Sequence, residues 1–157
     1  MEVFRLAHKN FTSLDGKGGL YGVGRWHHIG FPVIYAGGSR SLAVLERFIH
    51  DKASLTIPNL KMLTIHIPDN IEFEQHFIST LPLGWDTTAN EEQQATQDIG
   101  IGFLKANTSA FLKVPSAIVP HEYNYIINPL HPEATKIDVI DTHDYQYDER
   151  YKRIIRE

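Results

Sequence analysis

The chain lacks three features that would place it in well-known classes of protein. It contains no cysteine, which excludes disulfide bonds and thiolate metal sites. It has no apolar run long enough to cross a bilayer, and residues 1–10 lack the apolar core of a secretion signal. It also lacks a basic excess: 15 Lys and Arg stand against 19 Asp and Glu, a formal charge of −4, which argues against a nucleic-acid surface. We therefore expect a cytoplasmic protein with no direct contact to nucleic acid or membrane.

The composition is that of a folded protein. At 157 residues, 42% of them hydrophobic, the chain is expected to form one domain over residues 1–157 with a sizeable core. Strands and helices do not alternate regularly, which favours an α+β fold over a doubly wound parallel sheet. Residues 10–24 are predicted to be loop. The sequence pattern predicts helices over residues 40–50 and 89–105, and strands over residues 2–8, 32–36, 60–67, 110–114, 117–119, 123–127 and 137–141.

The stretch from residue 18 to residue 50 has the composition of a ligand site. It combines a glycine-rich segment, a short apolar strand and a helix that Ser39 can cap. Three polar side chains occur in it: Arg25 among the glycines, Tyr35 on the strand and Glu46 on the helix. Glu46 shares a largely apolar helix face, where a carboxylate needs a hydrogen-bonding partner or a chemical role. An ion pair with a nearby arginine is the ordinary alternative.

Common nucleotide and metal motifs are absent. Gly22 and Gly24 are followed by His27 where the dinucleotide-binding fingerprint requires glycine. The phosphate-binding loop of nucleotide triphosphatases and the Gly-x-Ser-x-Gly nucleophile elbow do not occur either. The nine histidines form no pair at helical spacing with a catalytic glutamate, so we predict no metal site.

Two blocks of residues, in a characteristic order, resemble the RES domain family. The blocks and a short N-terminal match comprise residues 3–6, 24–26, 30–36, 42–46, 114–120 and 124–132. The resemblance covers nearly the whole chain and implies an ADP-ribosyltransferase-like fold, with small mixed sheets, flanking helices and a cleft that binds NAD. One departure is His27, which stands where asparagine is common in the family.

The resemblance also implies roles for five residues. Glu46 would stabilise positive charge on the ribose carbon as nicotinamide leaves. Arg25 would hold a phosphate or a ribose, and Tyr35 would present its ring to the nicotinamide. Ser116 would bond a ribose or phosphate oxygen, and Arg5 would be a second anion contact. Taken singly, the residues favour ordinary interpretations: a core tyrosine, an arginine stacked on Trp26 and a turn serine. Taken together, in the order of the family, they favour the functional interpretation.

The implied function is that of a bacterial toxin that consumes NAD, with NAD as substrate and no metal. It would transfer ADP-ribose to water or phosphate, and its partner would be an Xre-type helix-turn-helix antitoxin, with homodimers inside the complex. Two alternatives remain open: a mono-ADP-ribosyltransferase that modifies a protein, and a catalytically inactive nucleotide-binding module.

Overall fold

A computed structural model describes residues 1–51, 59–88 and 93–154, without the side chains of 152–154. Its strands are β1 (Glu2–His8), β2 (Ile34–Gly37), β3 (Leu60–His66), β4 (Phe73–Gln75), β5 (Phe111–Pro115), β6 (Tyr123–Ile127) and β7 (Asp138–Tyr145). Its α-helices are α1 (Gly18–Tyr21), α2 (Arg40–His50), α3 (Gln94–Ala106) and α4 (Glu149–Ile154). Short 3-10 helices span Lys9–Phe11, Ile78–Thr80 and Pro132–Lys136.

The strands form one mixed sheet in the order β4-β5-β6-β2-β1-β3-β7. Neighbouring strands are antiparallel except β4 and β5, which run parallel. This arrangement confirms the predicted α+β class. The weakest junction lies at the centre: β1 pairs with β3 along its whole length but meets β2 at one position, Phe4 opposite Gly37. Helix α2 contacts both β1 and β2.

Side-chain alternation along β5 and β6 builds a core on each face of the sheet. Phe111 and Ile127 join one buried cluster, whereas Leu112 and Ile126 join another that includes Phe103 of α3. The period of two in a strand sends neighbouring residues to opposite faces. A third cluster forms where α2 covers β1 and β3, with the members Phe4, Leu6, Ala43, Val44, Leu60 and Met62.

Helix α3 packs unusually close to the glycine-rich segment. A Cβ added at Gly100 would lie 1.9 Å from the carbonyl oxygen of Trp26. The Gln97 side chain donates a hydrogen bond from Nε2 to the Gly24 carbonyl at 3.1 Å. Glycine at position 100 is therefore required for this contact, which explains a residue that otherwise weakens a helix.

Several predicted elements differ from those observed. The predicted loop over residues 10–24 contains α1, and the predicted strand over 117–119 is a turn. In that turn the Ser116 Oγ accepts hydrogen bonds from the backbone amides of Ile118 and Val119. These two amides are therefore not available to pair with a neighbouring strand. Strand β7 extends beyond the prediction because it pairs with β3 as far as Leu60 opposite Tyr145. The described part of the second helix begins at Gln94, and its predicted start over residues 89–92 lies outside the described residues.

Candidate functional site

A cleft of about 280 Å³ opens at the junction of β1 and β2. Its walls come from four places: β1, the segment that contains α1 and the following glycines, β2, and α2, with Asn124 of β6 at one side. The cleft forms here because β1 and β2 pair at one position only, so side chains and glycine backbone replace sheet hydrogen bonds around it. Concave clefts lined by apolar groups and a few polar side chains are common ligand sites.

Glu46 lies on the cleft wall through the geometry of α2. Ser39 caps the helix, as predicted, by accepting the Leu42 amide proton at 3.1 Å, and Leu42 and Ala43 anchor the buried face. The Glu46 Oε1 accepts a hydrogen bond from Asn124 Nδ2 at 2.5 Å and another from Ser116 Oγ at 3.2 Å. Within the described part of the chain, Glu46 forms no ion pair and its Oε2 accepts no hydrogen bond. The carboxylate is thus fixed by neutral donors on one oxygen, while its second oxygen has no hydrogen-bond partner among the described residues.

Ser116 supports Glu46 from behind the cleft. Its side chain is buried, and it is not one of the cleft-lining residues. Its oxygen accepts from two amides of the turn while its hydroxyl donates to Glu46. The hydroxyl therefore orients the carboxylate in this structure and does not face the open cleft.

Tyr35, which is half-buried, and His27, which is buried, form a pair at the cleft. The Tyr35 oxygen accepts the Trp26 amide proton at 3.1 Å and lies 2.8 Å from His27 Nδ1. Burial raises the pKa of Tyr35 above its usual value, so the phenol stays protonated. Burial also lowers the pKa of His27, against the attraction of the Gly22 and Gly19 carbonyls. Among the described residues, His27 Nε2 is buried without a hydrogen-bond partner.

Arg25 lies beside the cleft without lining it. Its two terminal nitrogens donate to the carbonyls of Trp85 at 2.7 Å and Thr87 at 2.9 Å, which ties the glycine-rich segment to the loop before α3. Burial lowers the pKa of Arg25, while attraction to Glu46 and Asp86 acts in the opposite direction. In this structure the guanidinium therefore acts on Glu46 through its charge from a fixed position.

Arg5 of β1 lines the cleft with an unusual environment for a cation. Its Nη1 is buried and has no hydrogen-bond partner within the described residues. Burial, together with the positive charge of Arg47, lowers the pKa of Arg5 to about 10. Such a group favours an anionic ligand, because an anion would supply both the missing hydrogen bond and the opposing charge.

Four polar residues that line the cleft received no role from the sequence: Asn124, His27, Arg47 and His50. Asn124 belongs to the second motif block, so a signal for it existed, but only the fold reveals that it meets Glu46. His27 stood out only as a departure from the family pattern. Arg47 follows Glu46 directly, and nothing in the local pattern separates it from a solvated helix arginine.

The polar groups elsewhere define no second centre in the described residues. No cluster of three histidine or carboxylate side chains suited to a metal ion occurs in them. His28 and His66 are exposed, whereas His27 is buried. Within the same ranges, no helix is long and apolar enough to cross a membrane.

Comparison with known proteins gives consistent matches over nearly the whole chain. The family model described as RES domain matches residues 2–148. A protein named Toxin Res from Photorhabdus laumondii is 37% identical over 154 residues, covering 96% of this chain and 96% of the relative. A protein named Prs ADP-ribosylating toxin from Sphingobium sp. is 34% identical over 142 residues, covering 89% of this chain and 87% of the relative.

A solved structure shows the same fold. The crystal structure of the M. tuberculosis MbcT–MbcA toxin–antitoxin complex superposes with a TM-score of 0.72 at 15% identity, covering 99% of this chain and 86% of that chain. At that identity the likeness concerns the fold.

Proposed function

Because the chain belongs to the RES domain family, whose curated relatives are named as toxins, we propose that it is the toxin of a bacterial toxin–antitoxin pair and that it consumes NAD. The reaction would break the bond between nicotinamide and ribose. The observation that carries the proposal is Glu46, a carboxylate fixed by Asn124 and Ser116 on the wall of a cleft whose other charged lining groups include Arg5.

The chemistry needs little from the protein beyond positioned charge. When the bond from the ribose carbon to the nicotinamide nitrogen breaks, its electron pair leaves with the nicotinamide, which becomes neutral. The ribose carbon becomes an oxocarbenium-like cation, and water adds to it and releases a proton, giving ADP-ribose. With phosphate as nucleophile the product would be ADP-ribose 1″-phosphate.

Glu46 is suited to this step because its position is set before the reaction. A preorganised group that stabilises developing charge in a site shielded from water contributes about 3–4 kcal/mol, or roughly a hundred- to a thousandfold in rate. The Oε2 atom of Glu46 would face the ribose. Tyr35 would offer its ring to the nicotinamide, and Arg5 would bind the anionic part of the substrate. Arg25 and Ser116 would hold the glycine-rich segment and the carboxylate in place.

The proposal is tested by incubating purified protein with NAD and measuring free nicotinamide. We expect release from the parent and a loss of at least about a hundredfold in Glu46→Gln, which keeps the size of the side chain but removes its charge. Glu72→Gln is the matched control, since Glu72 is exposed and does not line the cleft. Equal nicotinamide release by Glu46→Gln and the parent would refute the assignment of Glu46. Release without added acceptor indicates hydrolysis, and release that requires phosphate indicates phosphorolysis.

A second candidate is transfer of ADP-ribose to a protein. The similarity to a relative named Prs ADP-ribosylating toxin favours it, because that name describes modification of a target. Incubation with labelled NAD and a bacterial lysate tests it: label that stays on a protein after denaturation, and depends on Glu46, supports transfer. If the protein binds NAD but shows no turnover in either assay, the result would support a catalytically inactive nucleotide-binding module.

We also propose an antitoxin partner. The structural neighbour comes from a toxin–antitoxin complex, and the resemblance to RES toxins implies an Xre-type helix-turn-helix antitoxin and toxin homodimers in the cytoplasm. The acidic charge of this chain suits a pair in which the partner contacts DNA. Co-expression with such a partner should abolish growth inhibition, and light scattering of the purified complex should reveal whether the toxin is paired.

A further inference from the structure

Arg47 occupies a place in the cleft that the proposed chemistry does not use. It follows Glu46 on α2 and lines the same cleft. Its Nε donates to Asp51 Oδ2 at 2.7 Å, and the Asp51 side chain is only 11% exposed. Within the described residues, the two terminal nitrogens of Arg47 have no hydrogen-bond partner. An arginine held through Nε keeps its terminal nitrogens for a ligand, in the planar geometry that matches phosphate oxygens.

Arg5 brings a second guanidinium to the same cleft. It comes from β1, the strand against which α2 packs, and its Nη1 is buried without a partner in the described chain. Both side chains line this one cleft, and the positive charge of Arg47 adds to burial in lowering the pKa of Arg5. Two cations in one cleft repel each other unless a ligand of opposite charge lies between them.

Tyr147 and Tyr151, near the C-terminus, contact Asp51 and Phe48 of the region around Arg47. Tyr147 donates a hydrogen bond from its hydroxyl to the same Asp51 Oδ2, at 3.3 Å. Its ring packs on Phe48 of α2 with ring centres 5.6 Å apart, and Tyr151 of α4 packs on both rings. Burial and the charge of Asp51 raise the pKa of Tyr147, so the phenol remains a donor at any physiological pH.

We infer that Arg5 and Arg47 form a subsite for the diphosphate of a dinucleotide, and that Asp51 and Tyr147 position Arg47 in it. The inference deepens the proposed function and rests on it. Arg5 and Arg47 would contact the ligand, whereas Asp51 and Tyr147 would act through Arg47. The anionic oxygens of a diphosphate would accept hydrogen bonds from the unpartnered Nη1 of Arg5 and from the terminal nitrogens of Arg47, whose own charge Asp51 already balances. The adjacent Glu46 would then face the ribose beyond the diphosphate.

The first test measures binding of ADP-ribose by calorimetry, with inorganic pyrophosphate as competitor. We expect Arg47→Gln to weaken ADP-ribose binding by roughly tenfold or more, the scale of a charge-assisted hydrogen bond, and to abolish competition by pyrophosphate. Arg150→Gln is the control: it removes the same charge from the C-terminal segment, where Arg150 is exposed and paired with Asp148. Binding by Arg47→Gln no weaker than by Arg150→Gln would overturn the inference, as would a parent protein that fails to bind ADP-ribose.

The second test concerns positioning. Tyr147→Phe removes the hydrogen bond to Asp51 and keeps the ring packing, so we expect KM for NAD to rise severalfold with kcat and the melting temperature nearly unchanged. Tyr145→Phe is the control, because the ring of Tyr145 also packs in this cluster while its hydroxyl has no described contact with Asp51. Equal KM values in the two variants would exclude a positioning role for Tyr147.

These outcomes can be separated from failure of the proposed function. If Glu46→Gln releases nicotinamide as fast as the parent while Arg47→Gln loses ADP-ribose binding, the diphosphate subsite stands and the assignment of Glu46 falls. If Glu46→Gln is inactive and Arg47→Gln binds ADP-ribose normally, the assignment of Glu46 stands and the diphosphate subsite is refuted.

Discussion

Replacing Asn124 by leucine should separate the orientation of Glu46 from the stability of the fold. Leucine has the same branched side chain of four heavy atoms as asparagine, although its methyl groups are bulkier, and it donates no hydrogen bond. The change removes the 2.5 Å contact from Asn124 Nδ2 to Glu46 Oε1 and leaves Ser116 as the remaining described donor to that oxygen.

The magnitude follows from the charge and the exposure of the site. A hydrogen bond to a charged group contributes about 1.5–3 kcal/mol. Glu46 is half-buried, so water partly replaces the lost donor and the lower part of that range applies. About 1.5–2 kcal/mol corresponds to a fall of roughly ten- to thirtyfold in kcat/KM for NAD cleavage. The free energy of unfolding should fall by no more than the same amount, about 1.5–2 kcal/mol, since Asn124 lines an open cleft.

Ser39→Ala provides the opposite case on the same helix. It removes the N-cap of α2 and the contact from Ser39 Oγ to Glu122, at a cost of about 1 kcal/mol in stability, but leaves both donors to Glu46 intact. We expect Ser39→Ala to retain activity while it lowers stability. The assays are nicotinamide release and urea unfolding. If Asn124→Leu kept full activity, or if both variants lost activity in proportion to stability, the argument that neutral donors orient Glu46 would be wrong.

Two further predictions concern the packing around the cleft. Gly100→Ala should lower the free energy of unfolding by about 1–3 kcal/mol, because its Cβ would collide with the Trp26 carbonyl. Gly102→Ala should raise the free energy of unfolding by about 0.5–1 kcal/mol, because nothing lies within 4 Å of the added atom. If urea unfolding showed changes of the same sign for both variants, the described contact of Gly100 would be contradicted. His27 has a pKa below its usual 6.5 in the folded protein, so the unfolded chain binds more protons as the pH falls through that value, and stability should decline below about pH 6.5. His27→Gln should flatten this decline in unfolding measured from pH 7.5 to 5, while His66→Gln, at an exposed strand end, should preserve it.

Local sequence patterns predicted secondary structure correctly where the residues that stabilise an element lie within the same segment. The predicted helix over residues 40–50 is confirmed as α2, with Ser39 as its cap, because the capping hydroxyl and the apolar face are both close in sequence. The strands around residues 2–8, 60–67 and 123–127 are confirmed because alternation and β-branched residues mark them directly. The strand prediction for residues 117–119 is wrong because the apolar composition of this segment does not show that two of its backbone amides donate hydrogen bonds to Ser116 Oγ.

Sequence by itself determined the family, the α+β class and the candidates Arg5, Arg25, Tyr35, Glu46 and Ser116, since motif order and short-range periodicity are properties of the chain. Only the tertiary structure decided which of those candidates line the cleft and which lie beside it. It brings Arg5, Tyr35 and Glu46 to the cleft wall and leaves Arg25 and Ser116 beside it. It also adds Asn124 and Arg47, which meet the others only because β6 and α2 fold against the junction of β1 and β2. Contacts between residues distant in the chain depend on how strands pair and helices pack, and no local pattern encodes them.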